Sequence, residues 1–481
     1  MGESLRSRTV IGVKWNSVGT LTTTVLQMLK LFILARILTK ADFGLIAIAT
    51  MILGFTEIFA NMGLATGIIH KQDITREQYS SVFWLNLLLS VVLYSILCLF
   101  TPLIAEYYHQ PLLRRVIPLL SLTLVINAFG KMFYTFKVKE MDFRFISIVE
   151  IVGVFLGVLL TVLTALGGAG VYSLVYGALL HSLLSHGVYA ISGIRRYRIM
   201  LHFRLGEIKD LLRIGGYQLS TQVLDYAANK LDVFLIGRFF AVEVLGVYNL
   251  AKELLYKAVQ LINPIVTGVA TPAFARFQDD KVKMRNSYSG ILTLLAFVNF
   301  PIFFAFFIFA EPLTVLLYGG EMIEMAWFVR VLSIWGICQS VGNPAGILMV
   351  SLGRTDLGFV WTLVRIGCTL IGTLIACQIS IEVMTWTQVL LAFVFLFAYW
   401  RMMVYRMIQL PLGRYLGAVG YPFLASMAAA ICTIPLHAFG ANDIPLLGWV
   451  NMALFAVAYM LFYWFTRRDY VREVVGYVFK R

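Results

Sequence analysis

Charge is scarce in this chain. Only 13% of its 481 residues are Asp, Glu, Lys or Arg, against about 25% in an ordinary soluble domain. That is too little polar surface to coat a water-facing globule, so a bilayer must be the solvent for most of the chain. Cysteine is thin as well. Cys98, Cys338, Cys368, Cys377 and Cys432 lie in apolar segments with no C-x-x-C pair, and they read as small packing residues, not as a disulfide framework or metal site. No G-x-x-x-x-G-K-[ST] occurs, since Gly130-Lys131 is followed by Met132; the phosphate cradle of an ATP-driven pump is missing. H-E-x-x-H is absent too. His181 and His186 are five apart, a poor spacing for one ligand face. No catalytic residue, metal or organic cofactor is expected. The acidic pair Asp279-Asp280 sits among Lys281, Lys283 and Arg285 and reads as a solvated turn. No connection is long enough for a separate extramembrane domain. A membrane-embedded glycosyltransferase or polymerase would need a large loop with acid/base residues, and none is present.

What the chain has instead is apolar length. It is 60% hydrophobic, with 38 Gly and 36 Phe, a mixture suited to helices packed closely in lipid. A helical span needs about twenty mostly apolar residues. The pattern predicts an all-α polytopic membrane protein with fourteen spans, at 11–38, 41–64, 80–101, 113–134, 146–166, 170–191, 213–238, 244–267, 286–310, 327–351, 356–377, 382–406, 413–435 and 444–466.

The net charge of +14 would suggest nucleic acid in a soluble protein. Here it follows from the bias of Lys and Arg toward cytoplasmic loops, and no nucleic-acid partner is expected. The two tails and the connections on one side carry 26 Lys and Arg, the opposite connections only Lys40, Arg114, Arg115 and Arg238. This split places both termini in the cytoplasm and agrees with an even span count. The N-terminus, Met1 to Asn16, is basic, but the following apolar stretch is too long for a cleaved signal peptide. The longest cytoplasmic connection, Ser192 to Leu212, is basic and amphipathic and is expected to form a surface helix touching anionic lipid headgroups.

An internal repeat emerges at a shift of 202 residues. Leu34-Ala35-Arg36-Ile37-Leu38 lies over Ile236-Gly237-Arg238-Phe239-Phe240, Gly44 over Gly246 and Ala49 over Ala251. The polar residues keep the same register. Asn16, Thr20, Thr23, Gln27 and Lys30 step by 4, 3, 4 and 3, and Gln218, Gln222, Asp225, Asn229 and Asp232 repeat those steps. Such steps put each set on one helix face, and a polar stripe facing lipid would be costly. Two six-helix lobes are expected, residues 1–200 and 201–406, related by an axis along the membrane normal. Residues 407–481 then add two helices and a basic tail.

Ionisable residues inside the spans sharpen this. Each costs at least about 2.5–3.5 kcal/mol at mid-depth if unpaired, so each should be paired or face water. Lys30, Lys252, Arg330 and Arg365 form a cationic set able to hold an anion such as a diphosphate, Arg as a planar fork and Lys as a point charge. Asp225, Asp232, Glu253 and Glu57 form a carboxylate set able to bind a coupling H⁺ or Na⁺.

The residues also resemble a known family. Val13-Lys14-Trp15-Asn16 and Leu34 to Gly44 are similar to the start of bacterial polysaccharide transporters. Asp232 to Arg238, Leu245-Gly246-Val247-Tyr248, and Asn263-Pro264 to Arg276 are similar to that family's second repeat. The likeness covers the whole chain and is nearest the colanic-acid-type exporters of the multidrug/oligosaccharidyl-lipid/polysaccharide flippase superfamily. It implies a V-shaped pair of lobes in the inner membrane. It also implies ion-coupled translocation of undecaprenyl-diphosphate-linked repeat units to the outer leaflet, with membrane lipids and polysaccharide polymerase or export machinery as partners. A cation-coupled multidrug antiporter and a peptidoglycan-precursor lipid flippase of the same superfamily stay open as alternatives. If the two stripes line a wet passage, single cysteines at Thr23, Gln27, Gln222 and Asn229, on a cysteine-free background, react with an aqueous maleimide. Failure of all four from both sides of the membrane would remove that passage.

Overall fold

The computed structural model describes residues 2–61, 68, 74–278, 280–438 and 445–467. The side chains of Gln218, Asn263, Pro264 and Asn343, and the whole of Asp279, lie outside the described set. Among the described residues there is no strand. The helices are α1 (Gly2–Leu34), α2 (Lys40–Asn61), α3 (Arg76–Tyr107), α4 (Leu113–Lys139), α5 (Phe143–Leu166), α6 (Val171–Tyr197), α7 (Lys209–Phe239), α8 (Val242–Arg276), α9 (Lys281–Ile308), the short α10 (Ala310–Tyr318), α11 (Met325–Ser351), α12 (Thr355–Cys377), α13 (Ile381–Tyr399), α14 (Leu412–Ala438) and α15 (Pro445–Thr466). α13 runs on through a π turn, Trp400–Val404, and a last turn, Tyr405–Ile408. Each expected span falls on one of the long helices. Among the described residues, twelve are long and apolar enough to cross a membrane. α7 and α8, with 31 and 35 residues, also have the length.

The helices are built for hydrocarbon outside and close contact inside. On α5 the buried residues include Gly153, Gly157, Thr161 and Ala165, while Val152, Phe155, Leu159 and Leu163 are exposed. Small residues inside and large apolar ones outside is the pattern of helices that associate by backbone approach in lipid. The α5–α6 contact shows the limit: a Cβ on Gly177 would land on the Thr161 hydroxyl and 2.7 Å from the Gly157 carbonyl oxygen.

By contacts the chain divides into two compact units, Met1–Asn249 and Leu250–Arg481. In the first, α6 packs on α4 and α5, α5 on α1, α3 on α4, and α2 on α7. One aromatic core joins Phe83, Phe133, Phe136 and Tyr189. In the second, α9 packs on α11 and α14, α13 on α11 and α12, and α14 on α15. Phe297, Phe309, Phe455, Tyr459 and Tyr463 close around the last two helices.

The segment expected as a surface helix, Ser192 to Leu212, is something else. α6 continues to Tyr197 and ends at Arg198 with a left-handed φ of 46°. An extended strap follows, up to a single 3₁₀ turn at Leu205–Ile208. The first turns of α3 hold it: the Arg76 Nε–H donates to the Arg198 carbonyl at 2.7 Å, the Trp84 Nε1–H to Met200 at 2.9 Å and the Gln78 amide to Glu207 at 3.0 Å. Ser80 and Ser81 accept from the Met200 and Arg204 N–H groups. These partners satisfy the strap's backbone, so it needs no helix. The second unit repeats the device. The Arg285 Nε–H donates to the Ile408 carbonyl at 2.6 Å, and Gln409 has a left-handed φ of 52°. In each unit an Arg from the first turns of one helix ties down the C-terminal end of a later one.

Asp280 is more than a turn residue. Its carboxylate caps α9, accepting from the Lys283 and Val282 N–H groups at 3.0 Å. Those bonds and the Lys283 ammonium hold its carboxyl below the usual range. Replacing Gly177 by Val should force α5 and α6 apart at a cost of about 1–3 kcal/mol. Gly187→Val on the same helix, where a Cβ meets nothing within 4 Å, serves as control. Thermal unfolding in detergent should show a lower midpoint for the first variant only.

Candidate translocation site

The most specific geometry in the first unit is a helix crossing at the N-terminal ends of α2 and α8. A Cβ on Gly44 would fall on the Val242 carbonyl oxygen, and one on Gly246 would fall on the Lys40 carbonyl oxygen. Val242 and Gly246 are the repeat equivalents of Lys40 and Gly44. Each helix therefore presents its glycine to the other's first carbonyl, reciprocally, and only a hydrogen in place of Cβ permits the approach. The same end is sealed by aromatics. Tyr107 stacks on Phe234 at 5.8 Å, Tyr108 is buried beside Gly237, and the Arg238 guanidinium lies 5.3 Å over Tyr107 and 3.2 Å from His109 Nε2. Deeper in, the Tyr226 hydroxyl donates to the Met51 carbonyl at 2.8 Å and the ring fills the space over Gly54.

The carboxylate set is spread through this unit and the start of the next. Asp232, 6% exposed, accepts a 2.6 Å hydrogen bond from the Tyr248 hydroxyl and one from the Val233 N–H. This ties α7 to α8 two residues beyond Gly246. Asp225 is half-buried on α7, and Glu253 is half-buried on α8 in the second unit. Glu57 lines a polar cavity of about 90 Å³ with Asn61, Asn86, Asn127 and Lys131. Among the stripe residues, Asn16, Thr20 and Asn229 are exposed, and Thr23, Gln27 and Gln222 are half-buried. Thr23 donates back to the Gly19 carbonyl at 2.9 Å.

The cations divide as well. Lys30 is half-buried on α1. In the second unit Lys252 is 8% exposed, with its ammonium 6.0 Å from the Tyr256 ring. Arg330 is engaged with Glu311 at 2.9 Å. Arg365 lines a cavity of about 180 Å³ among α11, α12, α13 and α14, with Cys338, Gln339, Trp361, Tyr399 and Tyr415. Neither Lys252 nor Arg330 lines that cavity.

Sequence reasoning missed several groups. Lys131 faces the Glu57 cavity, and Tyr248 holds Asp232. Glu150 accepts from Tyr189 at 3.0 Å and sits 3.2 Å from His181 Nε2. Glu150 and Lys131 were visible as ionisable residues inside apolar runs. Their partners come from other helices, so no spacing within one helix points to them.

Comparison with known proteins places this geometry. A family described as "Polysaccharide biosynthesis protein" matches residues 33–327. The lipopolysaccharide biosynthesis protein WzxC of Escherichia coli (strain K12) is 29% identical over 74% of this chain and 72% of its own. The teichuronic acid biosynthesis protein TuaB of Bacillus subtilis (strain 168) is 28% identical over 89% of each. The succinoglycan biosynthesis transport protein ExoT of Rhizobium meliloti (strain 1021) is 24% identical over 99% of this chain and 97% of its own. Among solved structures, an inward closed form of the lipid II flippase MurJ superposes with a TM-score of 0.76 at 12% identity, covering 95% of this chain and 99% of that one. An inward-facing MATE multidrug transporter of the MOP superfamily gives 0.65 at 15% identity, covering 82% and 98%. Replacing Gly44 or Gly246 by Leu should pry α2 from α8. Spin labels at Thr39→Cys and Ala241→Cys, on a cysteine-free background, should report a distance distribution moved outward in either variant.

Proposed function

Because this chain belongs to the polysaccharide biosynthesis protein family, we propose that it is a flippase for lipid-linked saccharide. Its cargo would be an undecaprenyl-diphosphate-linked oligosaccharide repeat unit, carried from the inner to the outer leaflet of the plasma membrane for exopolysaccharide or lipopolysaccharide assembly. The observation that carries this reading is the pair of polar helix faces on α1 and α7, at equivalent repeat positions within otherwise apolar spans. A headgroup of sugars and phosphates needs a wet, hydrogen-bonding path, and a polar stripe in hydrocarbon is otherwise costly.

The cationic residues Lys30, Lys252 and Arg365 would draw in the diphosphate. Asp225, Asp232, Glu253 and Glu57 would take up the H⁺ or Na⁺ that drives the cycle. The lobes 1–200 and 201–406, with both termini in the cytoplasm, would alternate access, and the α2–α8 glycine crossing would close the path at the periplasmic face. Polymerase or export machinery would receive the product. The fold neighbours include a lipid II flippase and multidrug transporters, but at 12% and 15% identity they speak for architecture only. The sequence relatives carry the names of different polysaccharides, so the lipid-diphosphate anchor, not one sugar, is the chemistry they would share. Deletion of the gene, followed by lipid extraction, should show undecaprenyl-diphosphate-linked oligosaccharide accumulating on the inner face. An unchanged lipid pool would sink the reading, and a build-up of peptidoglycan precursor would redirect it to that alternative.

A further inference from the structure

A wide apolar groove runs between α2, α3 and α7 in the first unit. We propose that it holds one phospholipid with an anionic headgroup, an acyl chain lying in the groove and the phosphate against Arg238. The site uses none of the residues assigned to cargo or coupling ion, and it does not depend on what the cargo is.

The space is the first argument. The groove encloses about 610 Å³, the room of about twenty waters at about 30 Å³ each. Its wall is mostly carbon, with Met51 and Phe55 on α2, Leu103 and Ile104 on α3, and Leu231 and Phe234 on α7. Tyr226 adds a ring whose hydroxyl proton is already given to the Met51 carbonyl. A held water needs two to four polar partners, and this wall supplies few; hydrocarbon needs none. Phe100 and Leu103 on α3 and Phe234 on α7 are exposed. The edge of the groove therefore runs on into helix faces that meet lipid, and a chain can enter sideways. From Tyr226 to Phe234 it follows α7 for about 12 Å, most of the roughly 15 Å of hydrocarbon in one leaflet.

Charge at the mouth is the second argument. One turn past Phe234, Arg238 is exposed, its guanidinium 5.3 Å over the Tyr107 ring and 3.2 Å from His109 Nε2. Tyr107 is itself part of the groove wall. Of the five N–H donors on a guanidinium, the His109 contact engages one nitrogen and leaves the fork able to take phosphate oxygens. Arg114 and Arg115, both exposed, follow in the first turn of α4, against one exposed carboxylate beside Tyr107, Glu106. The connections on this side of the chain carry few Lys and Arg, as the charge bias of membrane proteins requires, yet these three collect here.

Tyr108 is the third argument. It caps the end of α3, lines the groove, and is 5% exposed, with a hydroxyl that has no hydrogen-bond partner. Such orphaned buried groups are rare. An ester or phosphate oxygen at the mouth would accept from it. Hydrocarbon below, a stranded donor and a cationic fork above follow the plan of a phospholipid, and a chain seated there would brace α7 against α2 and α3.

The test is native mass spectrometry of the purified full-length protein, stripped of lipid by detergent exchange and titrated separately with phosphatidylglycerol, phosphatidylcholine and undecaprenyl phosphate. One phosphatidylglycerol should be retained, at least about fivefold tighter than phosphatidylcholine, the preference that a single basic side chain near a lipid surface supplies. Arg238→Gln, at an exposed position, should lose most of that preference. Ala227→Trp, whose side chain would occupy the groove, should expel both phospholipids. If it fails to fold, the smaller plug Ala227→Leu decides and should weaken both. Equal retention of the two phospholipids, or undiminished preference in Arg238→Gln, would reduce the groove to ordinary contact with the bilayer and overturn the proposal. Displacement of phosphatidylglycerol by an equal concentration of undecaprenyl phosphate would overturn it too, giving the groove to the carrier lipid.

Discussion

Hydrocarbon cannot solvate a peptide group or a charge, and the rest of this structure follows from that constraint. Backbone donors and acceptors are closed within helices, because no other partner exists in a bilayer core. With apolar solvent on every side, helices gain nothing from hiding apolar side chains from lipid. They associate through backbone contact, which needs glycine, serine and threonine on the inner faces. The α5–α6 contact at Gly157, Thr161 and Gly177 and the α2–α8 crossing at Gly44 and Gly246 are two results of one rule. The same constraint sorts the charges. Asp232 is buried against Tyr248, Glu57 shares a cavity with three carboxamides and Lys131, and Arg365 lines a cavity of donors.

The helices were legible in the sequence because hydropathy over twenty residues is a local signal. Every expected span lies on a helix. What required the fold was any feature whose partner is distant in the chain. The Ser192 to Leu212 connection looks like an amphipathic helix when read alone. Its true partners, Arg76, Gln78, Ser80, Ser81 and Trp84, lie more than a hundred residues earlier. Glu150 and His181 illustrate the same limit: they meet through two helices that no spacing links.

The repeat has a physical content that an alignment does not carry. The equivalence of Gly44 and Gly246 was visible as an alignment, one identity among few. Its physical content is that the two glycines face one another's carbonyls. Likewise Arg76 and Arg285 are ordinary basic loop residues in the sequence, and only the structure shows each clasping the C-terminal end of a later helix. For the candidate site, residue types were legible and grouping was not. Lys30, Lys252, Arg330 and Arg365 read as one cationic set, yet Arg330 is engaged with Glu311 and Arg365 lines an aromatic cavity that neither Lys252 nor Arg330 lines.

The reciprocal crossing of α2 and α8 also limits how those helices can move. Sliding either along its axis by one residue would bring a side chain onto a carbonyl oxygen, since Lys40–Gly44 and Val242–Gly246 fit only in register. The junction therefore acts as a register pin: it resists shear of one helix against the other where they cross.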